Sequence, residues 1–411
     1  MRFFFSLFVA ASSVVSQPLQ YDNGTRPAWG LDRIDQREAS LNDTFTYSLT
    51  GAGVSVYVFD SGINALHEDL EGRVDPGFSV ISDGFGTDDC AGHGTHTASL
   101  IGGKTYGVAK QVRLIPVRVL NCVNSNSSSA TLYPAIDWIV EHHQPGVPAV
   151  VNLSVGMPKS LAFNEAIRKL VADGLIVVGA AGNQGRDACG FSPASEPLTI
   201  SVGGTVKGDM RATQSNFGPC VDLFAPGWDL VGAWTGAPNI YRSSSGTSNS
   251  APIVSGIVAQ MLQENPRLTQ SEVEQKLKAT ATSGVLVNIG PGSPNLLAFA
   301  PSGSTQASAT PAVSTTTVTS TTSTISAPTT VVVPTTTVPS STTTARPAPS
   351  VASSIPVTTT TVVQTKNSVP IVNMKCTKAA TKATFFNVPY ICVNTGNQLT
   401  WIPRQYSPSS P

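Results

Sequence analysis

From residue 54 to residue 225 the chain alternates between two textures, and this alternation restricts the fold more than any other feature. Short β-branched runs occupy 54–59, 112–120, 149–154, 175–178, 198–202 and 221–224. Near-continuous apolar strands of this kind are buried on both faces, as in a parallel sheet. Between some of them lie amphipathic stretches at 130–143 and 160–173, with apolar residues at helical spacing. Two more helical patterns follow. One covers 248–264 and stops before Pro266; the other covers 269–280, where Thr269 and Glu272 have the spacing of a capping box. The pattern predicts a doubly wound α/β domain with a mainly parallel sheet, helices on both faces, and functional residues at strand ends and helix starts.

The rest of the chain has a different character. Arg2 and the apolar run 3–11, with small residues around Val14 and Ser16, read as a secretory signal over 1–16, cleaved before Gln17. No later stretch is long and apolar enough to span a bilayer. Composition breaks after Phe299. Residues 300–368 are dominated by Thr, Ser, Pro, Val and Ala and read as an extended linker. Residues 369–411 hold two cysteines and the aromatics Phe385, Phe386, Tyr390 and Trp401, so a small disulfide-stapled β module is expected. The folded domain is assigned to 17–299. It contains every acidic residue of the chain, whereas the six charges beyond Phe299 are all basic. No basic groove for a phosphate backbone is visible, which argues against nucleic acid. The basic end module points to weak attachment to an anionic envelope, and a monomer is expected.

Six cysteines in a secreted chain suggest three disulfides. They fall as three local pairs, Cys90 with Cys122, Cys189 with Cys220 and Cys376 with Cys392, among fifteen formal connectivities. Three Gly-rich segments carry the chemistry: Val58-Phe59-Asp60-Ser61-Gly62, Gly92-His93-Gly94-Thr95-His96 and Gly246-Thr247-Ser248. A hydroxyl becomes nucleophilic only beside a base, and the base needs a carboxylate to fix its tautomer. Each segment alone has a plainer reading. Asp60 suits an Asx turn, Asn183 suits a turn, and His93 with His96 could ligate a metal, although no third ligand has suitable spacing.

Together with Trp29-Gly30-Leu31-Asp32-Arg33-Ile34-Asp35-Gln36, Ala180-Ala181-Gly182-Asn183 and Ser192-Pro193-Ala194-Ser195-Glu196-Pro197, these segments resemble the subtilases, in particular the proteinase K-like branch with aqualysin-type enzymes. The resemblance covers 27–299. It implies a serine endopeptidase acting on proteins and peptides, with Asp60 orienting His93 as general base, Ser248 as nucleophile and Asn183 as oxyanion donor. It places Ser154, Val155 and Gly156 on one side of the primary specificity pocket and Ala180, Ala181 and Gly182 on the other, implying apolar or aromatic residues before the cut. The first two cysteine pairs are similar to the aqualysin-type disulfides. Structural calcium is implied at Pro197, Thr199 and Asp222, and at a second cluster of Asp32, Asp35 and Gln36.

The sequence departs from the family pattern at four places. Asn249 and Ile253 stand where Met and His are usual, Met157 replaces a glycine, and Asn124-Ser125-Asn126 replaces a Gly-Ser-Gly edge. Only residues 17–28 lie between the expected cleavage and Trp29, where the resemblance implies an inhibitory propeptide. The competing expectation is a non-catalytic surface or adhesion protein that keeps the same fold.

Overall fold

The computed structural model describes residues 14–19, 21–22, 26–122 and 129–300, together with the strands Lys382–Phe385, Val388–Asn394 and Leu399–Pro403. The chain divides into two compact units, Met1–Thr315 and Thr316–Pro411. In the second, the three strands form one antiparallel sheet. The linker 300–368, apart from residue 300, lies outside the described residues, as do Cys376 and the loop Asn124-Ser125-Asn126.

The β-branched runs of the first unit form the strands β1 (Ser55–Asp60), β2 (Arg113–Arg118), β3 (Ala149–Leu153), β4 (Ile176–Ala180), β5 (Ile200–Val206) and β6 (Leu223–Pro226). All six are parallel and lie in the order β6-β5-β4-β3-β1-β2 within a ten-stranded sheet. Two short edge strands, Thr282–Ser283 and Met210–Arg211, run antiparallel to their neighbours. Helix α1 (Trp29–Ile34) precedes the sheet. The later helices are α2 (His93–Gly102), α3 (Ser129–His142), α4 (Leu161–Ala172), α5 (Thr247–Glu264) and α6 (Gln270–Thr280).

Strand alternation sorts the core into two layers. Val56 and Val58 of β1 face the cluster built by α2 and α5, while Tyr57 and Phe59 face the cluster built by α3 and α4. On β1 both faces thus meet helices, whereas Phe224 of β6 packs in a third cluster with Val221, Leu286 and Leu297. The strand order also reverses at β1. The chain leaves β1 for β2 on one side and returns to β3 on the other. In doubly wound sheets a crevice opens outside the carboxyl ends of the strands at such a reversal, and ligands bind there.

Cys90 is bonded to Cys122 and Cys189 to Cys220. Each bridge closes a loop of about 30 residues, for which chain entropy gives on the order of 3–4 kcal/mol. At the other end, Val15–Pro18 pairs antiparallel with Thr44–Tyr47. The expected cleavage before Gln17 falls inside this strand and would leave Gln17 and Pro18 paired to Phe45 and Thr44.

Candidate active site

Asp60 is the last residue of β1, fully buried, and stands at the strand-order reversal. Its carboxylate accepts from the Ser61 N–H at 2.7 Å and from Thr97 Oγ1 at 3.1 Å. His93 opens α2 and places Nδ1 2.7 Å from Asp60 Oδ1. An ionised carboxylate only accepts, so Nδ1 carries the proton and Nε2 is left as a base. Burial pushes the His93 pKa down, but the charge and hydrogen bond of Asp60, helped by the charge of Asp89, more than offset this and raise it overall.

The start of α2 is held by a residue that the sequence reading missed. Asp89 accepts from the N–H groups of Ala91, Gly92 and Thr95 at 2.8–2.9 Å, from Thr95 Oγ1 at 2.7 Å and from Ser61 Oγ at 2.9 Å. The Gly92 and Thr95 N–H groups are among the donors that a helix start leaves without partners. One carboxylate therefore fixes both the helix carrying His93 and the turn after Asp60. An acidic residue just before a Gly-rich helix start was the available signal.

His96, one turn along α2, is buried and donates Nε2–H to the Leu230 carbonyl at 3.0 Å, while its Nδ1 has no partner. Burial, countered only in part by that carbonyl, lowers its pKa to about 4. The unfolded chain, with an ordinary histidine pKa of about 6.5, therefore binds a proton that the native state refuses between those values. Stability should thus fall as pH drops from about 6.5 to about 4, by a total on the order of 3 kcal/mol from this residue. Asp35, raised to about 6, gains stability over the same window, so the His96 effect is isolated as the difference in urea stability between wild type and His96→Gln at each pH. That difference should fall as pH drops from about 6.5 to about 4, and a pH-independent difference would contradict the assignment.

Ser248 is the second residue of α5. The helix is capped by Gly246, whose φ of +153° disfavours any side chain. A Cβ at Gly246 would lie 3.1 Å from both Asn183 Nδ2 and Ser248 Oγ, so the amide and the hydroxyl border one small space. The amide is oriented from behind. Asn183 Oδ1 accepts from the Thr247 N–H and from Thr247 Oγ1, each at 2.9 Å, and Thr247 Oγ1 also accepts from the Gly182 N–H at 3.1 Å. Because a backbone N–H can only donate, the oxygen of Asn183 must face Thr247 and its NH2 must face the space.

Pro252 lies within α5 and has no N–H to give to the Ser248 carbonyl one turn earlier. Ser154 supplies the missing donor, with Oγ 2.8 Å from Ser248 O. Behind it, buried Ser255 donates to Asn152 Oδ1 at 2.9 Å, and Asn152 Nδ2 donates to Ser154 Oγ at 2.9 Å. This polar chain ties the end of β3 to the serine. Since β3 pairs with β1 from Ser55↔Ala149 to Phe59↔Leu153, Asp60 and Ser154 leave adjacent strand ends. His93 and Ser248 accordingly stand at the starts of two helices that pack together on one face of the sheet. Their side chains are not hydrogen-bonded to each other; in apo sites such bonds often tighten only when substrate is bound.

Ser154, Val155 and Gly156 continue β3, and Ala180, Ala181 and Gly182 end and continue its neighbour β4. The two segments run side by side. Gly182 has φ +101°, and a Cβ there would strike Asn216 Nδ2 at 2.4 Å. Gly156 is exposed, with nothing nearer than 3.9 Å. Met157 packs against the α3–α4 core.

The two expected calcium clusters differ. Asp35 Oδ1 is buried without a partner, and burial together with the charge of Asp32 raises the Asp35 pKa to about 6. Asp32 accepts from the N–H groups of Asn42 and Asp43 and from Gln36 Nε2. Two crowded carboxylates and the orphaned Asp35 oxygen suit a hard cation, while the Gln36 amide, whose NH2 faces Asp32 and whose oxygen accepts from Asn42 Nδ2, would have to turn to join them. At the other cluster Thr199 is buried, but Asp222 accepts the Ser201 N–H at 2.8 Å on one oxygen and meets Lys278 Nζ at 2.7 Å on the other. What separates this group from the first is that a cation, the Lys278 ammonium, already sits on its single carboxylate, so it does not fit calcium as it stands. The other ligand-like group among the described residues, Asp83 with Cys90 and Cys122, is accounted for by the disulfide and the Arg118–Asp83 ion pair.

Comparison with known proteins gives a consistent result. The model of the subtilase family matches residues 51–345. An extracellular serine proteinase of Thermus sp. (strain Rt41A) is 46% identical over 273 residues, covering 66% of this chain and 66% of the relative. Alkaline serine exoprotease A of Vibrio alginolyticus is 40% identical over 277 residues, covering 67% of this chain and 51% of the relative. The chain thus spans about half to two thirds of the length of these curated relatives. The solved structure of a cold adapted subtilisin-like serine proteinase superimposes with a TM-score of 0.63 at 39% identity, covering 66% of this chain and 97% of the other.

Proposed function

This chain belongs to the subtilase family, and from that premise we propose that it is a secreted serine endopeptidase working through an acyl-enzyme on Ser248. The observation that carries the reading is the space beside Gly246, bordered by the hydroxyl of Ser248 and the amide of Asn183. An acyl carbon next to Oγ would place its oxygen within reach of the amide.

In the first half-reaction Ser248 Oγ bonds to the substrate carbonyl carbon and its proton passes to His93 Nε2. The resulting imidazolium is stabilised by buried Asp60 at 2.7 Å. Negative charge appears on the carbonyl oxygen only at this stage, and Asn183 Nδ2 donates to it together with the backbone N–H of Ser248. The tetrahedral adduct then breaks its C–N bond, and His93 gives its proton to the departing amine. In the second half a water loses its proton to His93 and attacks the acyl carbon, and the collapse returns the proton to Ser248.

The small residues at 154–156 and 180–182 leave a slot for an apolar or aromatic side chain, and their backbone edges suit an extended peptide added as a strand. Secretion is supported by the two disulfides and by the "extracellular" in a relative's name. Asp32, Asp35 and Gln36 would hold a structural calcium that neutralises the two carboxylates. The non-catalytic reading gains no support from the departures near the serine. Asn249 is buried and donates to Gly227 O at 3.3 Å, and Ile253 lies in the α2–α5 core. Digestion of a peptide library with mass-spectrometric mapping of the cuts tests the proposal. Cleavage after Phe, Tyr, Leu and similar residues is expected; no cleavage, or cleavage only after charged residues, overturns it.

A further inference from the structure

We infer that the ammonium of Lys278 serves as a built-in cation at the Pro197–Thr199–Asp222 site, so that this chain does without a metal where its family resemblance implies calcium. Lys278 Nζ lies 2.7 Å from Asp222 Oδ1 and 2.5 Å from Glu274 Oε1. It thereby neutralises the only carboxylate among the three residues implied as ligands. A divalent cation at the same carboxylate would face this ammonium at close range and would have to displace it.

The helix that delivers the lysine is fixed to the same loop. Gln270, at the start of α6, is buried, and its Nε2 donates to the Leu198 carbonyl at 2.7 Å and to the Val177 carbonyl at 3.1 Å, while its Oε1 accepts the Val177 N–H at 2.8 Å. Leu198 lies between Pro197 and Thr199, the two other residues implied as ligands. Side-chain capture of that loop by Gln270 sets the position of α6, and the helix then carries Lys278 to Asp222. A tethered ammonium needs no free calcium and cannot be removed by a chelator. The inference concerns stability and stands apart from the catalytic reading.

The test uses the full chain carrying Ser248→Ala, to prevent self-digestion, and compares melting temperature with excess Ca2+ and with EDTA. In that background Asp222→Asn should leave the calcium response unchanged. Lys278→Met should lower the melting point in EDTA by about 2–4 °C, the scale of shift for one modest interaction in a domain this size. Calcium should now recover that loss, and adding Asp222→Asn to Lys278→Met should abolish the recovery. A calcium response that Asp222→Asn removes while Lys278 is intact would overturn the inference, as would a Lys278→Met protein that gains no new response. If Lys278→Met does not fold, the Asp222→Asn comparison alone decides. Asp35→Asn separately reports the second cluster. Loss of the calcium response there supports a metal at Asp32, Asp35 and Gln36, and an unchanged response in both Asp35→Asn and Asp222→Asn counts against that metal without affecting Lys278.

Discussion

Ser248→Ala is expected to lower kcat on a peptide substrate by about 10⁶, a figure obtained in a subtilisin, and Asp60→Asn by about 10⁴, the loss found for the same substitution in a serine protease of unrelated fold with the same triad. The physical basis differs between the two variants. Without Ser248 Oγ there is no atom to form the acyl bond. With Asn at position 60, His93 keeps its place but loses the acceptor that holds the proton on Nδ1 at 2.7 Å, so Nε2 is no longer reliably the base. A second readout separates this from simple misfolding. His93 is raised by Asp60 against the pull of burial, so removing the charge leaves burial dominant and lowers its pKa. Activity requires the neutral ring and therefore rises with pH through that pKa. In Asp60→Asn the residual activity should reach its plateau at lower pH than in the wild type. A rate profile that keeps the wild-type midpoint would count against the assigned role of Asp60.

The second large effect concerns the oxyanion side. Asn183→Ala should reduce kcat by about 10²–10³ with little change in KM, again a magnitude measured in a subtilisin. Thr247→Val should reduce it by a smaller factor, since Thr247 Oγ1 only orients the amide through its 2.9 Å bond to Asn183 Oδ1, and the Thr247 N–H still holds the same oxygen. Gly246→Val should be as damaging as Asn183→Ala or worse, because a side chain there enters the space between Nδ2 and Oγ and is strained at φ +153°. Steady-state kinetics on one chromogenic peptide will rank the three. Equal KM losses in all of them, with kcat unchanged, would mean that this space binds substrate in the ground state only.

Much of this was legible in the sequence because the relevant signals are local. Val56 to Phe59 must be buried on alternate faces, and the Gly-rich turns after β1 and before α2 and α5 mark where backbone is free to approach a substrate. The capping box at Thr269 and Glu272 formed as its spacing suggests. What escaped depends on contacts across the fold. Helix α1, only six residues long, is set by burial of Trp29, Leu31 and Ile34 and not by any periodicity that so short a run could display. Asp89 is the local exception: it precedes a Gly-rich helix start, yet reads as an ordinary loop acid until the backbone of α2 turns its N–H groups towards it. Ser255 and Asn152 lie far apart in the chain and meet only because α5 lies across β3. Lys278 likewise reads as a surface residue of an amphipathic helix until Asp222 is brought beside it.

Asp60, His93, Ser248 and Asn183 are proposed to act on one acyl group. The most direct measurement is treatment of the folded protein with a fluorophosphonate, followed by mass-spectrometric location of the adduct. A single phosphonyl group on Ser248, formed slowly or not at all in Asp60→Asn, is the predicted result. Modification spread over other serines, or labelling of Ser248 that is as fast without Asp60, would contradict it.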